Sequence, residues 1–216
     1  MDSGYPVPAL RYREELVVRR SRFITTLAPA PDEAAAQGLI RTVREEFPDA
    51  THHCWAFVAG PPGDTARVGM SDDGEPHGTA GRPMLTTLLH SGVGEVAAVV
   101  TRYFGGVKLG KGGLSRAYSG AVAEALERLP TEIRVQRVDV RLSLDYPHVD
   151  GVFRLLDELG GERLEEAYGA AVRLRVSIPL GALEQLERGV ADATGGTGGL
   201  DAVDPPPRQR PFSSLG

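Results

Sequence analysis

The chain has 216 residues, 41% of them hydrophobic and 25% charged, with a formal net charge of −5 and a sequence pI of about 5.6. These values describe one large or two small globular domains and exclude a disordered or fibrous chain. They also exclude a protein whose whole surface is basic enough to hold nucleic acid, so any such contact has to come from a local patch. A single cysteine, Cys54, forms neither an internal disulfide nor a cysteine-rich zinc site and fits a reducing compartment. Residues 1–10 lack a basic segment followed by an apolar one, and the longest aliphatic run, residues 96–100, is far short of a bilayer span. A cytoplasmic protein without membrane contact is expected.

Residues 11–28 are rich in Val, Ile, Thr and Phe with charges interspersed, which predicts two strands or one bent strand. Pro31-Asp32-Glu33 opens a helix carrying Leu39, Ile40, Val43 and Phe47 at helical spacing, with Pro48 as its stop. Residues 51–59 read as a strand buried on both faces, closed by a turn over residues 60–64. Residues 71–83, SDDGEPHGTAGRP, are too rich in Gly and Pro for regular structure and predict a loop, with a short helix over 84–90 after it. Residues 95–104 form the clearest interior strand, running into GGVKLGKGG and an amphipathic helix over 114–129. Pro130 closes a first domain, residues 1–130.

The second domain, residues 131–204, begins with a strand over 133–144 and a helix over 148–159 that stops at Gly160-Gly161. Strands over 162–168 and 171–178, joined at Gly169, precede a helix over 183–193. This βαββα order is most of a ferredoxin-like split βαβ domain, whose last strand has to come from near Leu200. The whole is therefore an α+β chain of two α/β sandwich domains. Residues 205–216, with three consecutive prolines, are expected to be a loose tail.

The strongest chemical signal is TRYFGGVKLGKGGLSRAYSGAV. A glycine-rich lead-in to a helix N-terminus exposes backbone N–H groups and makes an anion site. Arg102, Lys108, Lys111 and Arg116 add four cations within fifteen residues that contain no acid. Of the 24 basic residues only these two lysines are not arginine, and they lie three positions apart. Gly105, Gly110 and Lys111 fit GxxxxGK, but Gly112 stands where a nucleotide-binding loop needs Ser or Thr for magnesium, so this is no NTPase loop. The competing reading is a glycine-rich turn with solvated lysines. Asp72, Asp73, Glu75 and His77 gather three carboxylates and an imidazole in six residues; shaping of the loop is favoured there over catalysis or metal binding. His52, His53 and Cys54 alternate across a strand and do not converge on one metal, so no metal or cofactor is expected.

Read together, SRFITTLAPA, ATHHCWAFVAG, SDDGEPHGTAGRPML and VVTRYFGGVKLGKGGLSRAYSGAV resemble, in order, the motifs of the YigZ/IMPACT family in its two-domain bacterial form. That resemblance implies an N-terminal domain similar to domain IV of elongation factor G and a C-terminal one similar to its domain V. Asp72, Asp73, Glu75, Gly78, Thr79, Gly81, Arg82 and Pro83 match the family's acidic-glycine signature. Arg102, Tyr103, Gly105, Gly106, Lys108, Leu109, Gly110, Gly112, Gly113 and Leu114 match its glycine-rich one. His77 departs from a commonly small residue and Lys111 from a common Ala, so the role of Lys111 transfers less well than that of Lys108. Eukaryotic members regulate translation initiation through an additional N-terminal domain that this sequence does not match, so their control of a kinase is not expected here.

The resemblance implies contact with ribosomal or other structured RNA and no established enzymatic activity. The expectation is thus a non-enzymatic regulator of translation, with the 102–116 segment on phosphates and Tyr103 and Phe104 on bases. The alternative is an enzyme acting on a phosphorylated or otherwise anionic small molecule, with Asp73, Glu75 and His77 as acid and base beside the 102–116 loop. A protein partner in translation control would instead dock on the second domain's sheet, where Arg173 and Arg175 point outward.

Overall fold

The computed structural model describes residues 4–202, and the tail expected over 205–216 lies outside the described residues. The chain divides into two units, Tyr5–Arg134 and the residues from Val135 onward. Among the described residues no helix is long and apolar enough to cross a membrane.

In the larger unit β1 (Gly4–Pro8) precedes a hairpin of β2 (Tyr12–Val18) and β3 (Ser21–Pro29), so the segment expected as one or two strands is two. Helix α1 (Glu33–Glu46) starts where the Asp32 carboxylate accepts the Ala35 N–H, and it buries Ala36, Leu39, Ile40 and Val43. Strand β4 (His52–Val58) follows. Then comes β5 (Val68–Ser71), which the sequence does not announce: four residues with two apolar side chains carry too short a pattern. Tertiary contact makes it a strand, because the Phe57 ring packs so closely on Gly69 that a Cβ there would lie 2.4 Å from the ring edge.

Helix α2 (Gly81–His90) starts three residues before the expected Met84, and α3 (Gly110–Glu127) four residues before the expected Leu114. Between them runs β6 (Val96–Tyr103). The five-stranded antiparallel sheet has the order β2-β3-β6-β4-β5, with β6 in its centre. Helix α1 covers one face, over Ala28, Phe57, Ala97 and Val99. Helices α2 and α3 cover the other, over Phe23, Leu27, Cys54, Ala98 and Val100. Both faces of β6 are therefore apolar, which is why it reads as a continuous run rather than an alternation.

The strand expected over 133–144 is broken at Gln136. Its first part, β7 (Thr131–Val135), pairs with β1 in a two-stranded ribbon, and its second, β8 (Arg137–Leu144), belongs to the other sheet. There α4 (Val149–Glu158), β9 (Glu162–Tyr168), β10 (Val172–Pro179), α5 (Leu183–Thr194) and β11 (Gly199–Ala202) complete the order β11-β8-β10-β9, the ferredoxin-like arrangement. The final strand lies where the βαββα pattern requires it. Alternate residues Val172, Leu174, Val176 and Ile178 of β10 are buried against Val152 and Leu156 of α4 and Leu186 and Val190 of α5. Leu156→Ala should destabilise this unit by about 2–5 kcal/mol, whereas Leu164→Ala on the exposed β9 should stay within about 0.5 kcal/mol of wild type, as read by urea unfolding.

Candidate functional site

Strand β6 delivers Arg102 inward, not to solvent. The residue is 5% exposed; its Nη1 lies 2.5 Å from Glu75 Oε1, and the Tyr118 hydroxyl donates to the same oxygen at 2.8 Å. Nη2 reaches Ser21 Oγ at 3.4 Å, and the guanidinium lies 5.4 Å from the Phe23 ring centroid and 5.6 Å from that of Phe104. Its charge is neutralised in place, so Arg102 leaves the set of cations that an external anion can reach. Burial pushes the Tyr118 hydroxyl far above its ordinary range and the Cys54 thiol up to about 12, so Cys54 is an unreactive core residue.

The acidic segment folds into a tight loop whose carboxylates already have partners. Asp72 accepts N–H bonds from Gly78 at 2.7 Å and from Ala80 and Gly81 at 2.9 Å. It thereby caps α2 from nine positions upstream, and the helix starts early because its first donors are satisfied across space. Burial alone would raise the Asp72 pKa, but these three N–H bonds outweigh it and hold the carboxyl below its ordinary range. Asp73 ties Arg44 of α1 at 2.5 Å to the backbone N–H of His53 at 2.7 Å, from a left-handed backbone with φ of 42°. The buried Thr79 hydroxyl donates to the Pro76 carbonyl at 2.6 Å.

The three acid–base candidates are not gathered about one point: Glu75 faces the core, Asp73 faces Arg44 and β4, and His77 is fully exposed, 3.7 Å from Asp72. Arg82 is exposed beside an open pocket of about 430 Å³ that Asp72, His77, Gly78 and Gly81 also line. Among the described residues no group of His, Cys, Asp and Glu is placed to hold a metal ion.

The glycine-rich segment is shorter as a loop than its sequence suggests, since Gly110, Lys111, Gly112 and Gly113 form the first turn of α3. What remains is pinned at two points: the Phe104 N–H donates to Thr51 Oγ1 and the Gly105 N–H to Ser21 Oγ, each at 3.2 Å. At Gly105 a Cβ would sit 2.0 Å from the carbonyl carbon of Arg20, so the β2–β3 turn lies directly on the loop and only glycine fits. Gly106 and Gly110 take positive φ of 83° and 71°.

Helix α3 has neither a capping side chain nor an acid in its first turn. Lys108, Lys111 and Arg116 are all exposed around that N-terminus, and among the described residues none of them forms an ion pair. Phe104 presents an open ring, 48% exposed. Tyr103 is engaged instead, its hydroxyl on Asp49 at 2.8 Å and its ring under Arg22. In the smaller unit Arg175 is held by Asp139 at 2.8 Å and Glu165 at 3.0 Å, while Arg173 is exposed.

Sequence reasoning missed Arg19 and Arg20, which the hairpin carries to Gly105. The two-residue break in VVRRSRF was the available signal, but only strand register shows that these residues form the turn.

Two outcomes test this account of the site. Glu75→Ala, which leaves a buried guanidinium unpaired, should cost about 3–5 kcal/mol, and Tyr118→Phe about 1–3 kcal/mol, in urea unfolding followed by the single tryptophan, Trp55. Asp72→Ala should destabilise at neutral pH by about 1–3 kcal/mol. Because the folded pKa of Asp72 lies below the unfolded one, its contribution is complete above the ordinary value of 3.8 and disappears as pH falls through the folded pKa. The gap between wild type and variant should therefore close in acid; a constant gap would contradict the cap.

A model of the Impact N-terminal domain matches residues 19–126, and one of a domain of unknown function (DUF1949) matches residues 142–197. The chain is similar to the solved crystal structure of a hypothetical protein, with a TM-score of 0.69, 42% identity, and coverage of 94% of this chain and 98% of that one. The IMPACT family member of Haemophilus influenzae is 40% identical over 191 residues, covering 88% of this chain and 92% of that protein. The IMPACT family member YigZ of Escherichia coli is 44% identical over 187 residues, 87% of this chain and 92% of that protein. Matched through both units by these relatives and over residues 19–126 by the Impact N-terminal domain, the chain belongs to the IMPACT family.

Proposed function

We propose that this protein is a non-enzymatic, cytoplasmic RNA-binding member of its family that contacts ribosomal or other structured RNA and regulates translation. One observation carries the reading: Lys108, Lys111 and Arg116 stand exposed around the uncapped N-terminus of α3 and, among the described residues, form no ion pair, although the chain as a whole is acidic. Residues 96–123 contain no acid, so no carboxylate of this segment competes with an anion for these charges. Free N–H groups at a helix start and flexible ammonium groups suit phosphate oxygens, which fix position and confer salt-dependent affinity. The open Phe104 ring beside Gly105 supplies a stacking surface for a base. The implied likeness to elongation factor G domains directs the same chemistry toward the ribosome. The alternative of acid–base chemistry by Asp73 or Glu75 with His77 is less favoured, because Asp73 is held by Arg44, Glu75 by Arg102 in the core, and His77 stands exposed beside Asp72.

The test is co-sedimentation with ribosomes across a salt series. Wild type should pellet at low salt, and Lys108→Ala/Lys111→Ala should bind more weakly with a slope of log affinity against log salt shallower by about 0.7–0.9 for each lost phosphate contact. Equal pelleting of the two proteins, or of neither, overturns the reading.

A further inference from the structure

The turn joining β2 to β3 has two residues, Arg19 and Arg20, with φ of 46° and 69°. This is the mirror-image turn that matches strand twist, and its usual occupants are Asn-Gly because a Cβ crowds the following carbonyl in the left-handed region. Two arginines are an unfavourable choice for the turn itself. They hold this conformation because the turn is clamped: Arg20 lies on Gly105, and Ser21 Oγ accepts the Gly105 N–H. Both side chains are exposed, and among the described residues neither forms an ion pair.

The clamp places the tip beside an open groove of about 450 Å³ with Arg19 and Arg116 on its lining. Gly113, Ala117 and Gly120 form a stretch of that lining with almost no side chain, and a Cβ at Gly120 would meet nothing within 4 Å, so a backbone can approach closely there; Leu16, Val18 and Leu109 make up its apolar part. Glu124 also lines it, a position a phosphate avoids. We infer that the Arg19–Arg20 tip is a second phosphate-contact arm, which with Arg116 holds one strand of RNA backbone along this groove. The occupant is RNA rather than an acidic protein segment because the exposed cations Arg19 and Arg116 stand on the same loop-and-hairpin assembly that presents the open Phe104 ring, a stacking surface for a base. The inference rests on the RNA reading above and adds to it a contact element outside the glycine-rich loop.

The test uses Arg19→Asn/Arg20→Gly, which removes both charges while installing residues suited to the turn. Binding of a fluorescein-labelled RNA hairpin with a single-stranded tail is followed by anisotropy across a salt series, beside wild type and Lys108→Ala/Lys111→Ala. The tip variant should melt at or above the wild-type temperature, by up to roughly 8 °C. It should lose about three- to ten-fold in affinity per arginine and show a slope shallower by about 1.4–1.8. Arg19→Lys/Arg20→Lys should keep the wild-type slope.

If the tip variant binds as wild type does while Lys108→Ala/Lys111→Ala weakens, the inference falls and the RNA reading stands. If the tip variant weakens with an unchanged slope, the loss is not ionic and the inference falls. If wild type does not bind the RNA at low salt, both fall.

Discussion

Two charges buried where water does not reach hold the larger unit together: Arg102 at the centre of its sheet and Glu75 on the acidic loop. Desolvating both is expensive, and other groups offset that cost, although among the described residues the buried Arg102 Nε has no hydrogen-bond partner. Tyr118 of α3 donates to the same carboxylate oxygen, Ser21 of the hairpin meets the guanidinium, and two phenylalanine rings flank it. Four segments far apart in sequence thus meet at one carboxylate and one guanidinium. A chain that failed to bring any of them would leave a buried charge or hydroxyl unsatisfied, so the pair selects one arrangement of hairpin, loop and helix.

The placement of the remaining charge follows from this. With Arg102 neutralised internally, the positive surface at the start of α3 consists of Lys108, Lys111 and Arg116, joined by the hairpin tip. In the acidic loop Glu75 is paired with Arg102 in the core and Asp73 with Arg44, while Asp72 stays ionised and is held by three N–H groups at the start of α2. A protein with a net charge of −5 can in this way keep a local cluster of exposed cations.

The two glycine-bearing signatures play different physical parts. In the acidic one, the left-handed backbone at Asp73 and Gly74 turns the chain so that Asp72, Asp73 and Glu75 reach three different partners. In the other, Gly105 makes room for a neighbouring backbone, whereas Gly112 and Gly113 lie in the first turn of a helix where helix propensity alone would disfavour them. At Gly113 a Cβ would lie 3.1 Å from that of Leu109, so the absence of a side chain relieves a close contact there.

The periodic elements were legible in the sequence because their patterns are local: α1 between Asp32 and Pro48, the apolar run of β6, and the alternation of β10 with the βαββα order around it. The motifs identified the family and singled out the 102–116 segment and the acidic loop. The tertiary structure alone decided which charges remain free. Whether an arginine faces solvent or a carboxylate depends on strand register and on side chains up to 81 positions away, as between Arg102 and Ser21. Composition and spacing carry no such information. For the same reason the early start of α2, the short β5 and the approach of the Arg19–Arg20 turn to Gly105 emerged only in three dimensions: each is set by a partner across space, not by a propensity within the segment.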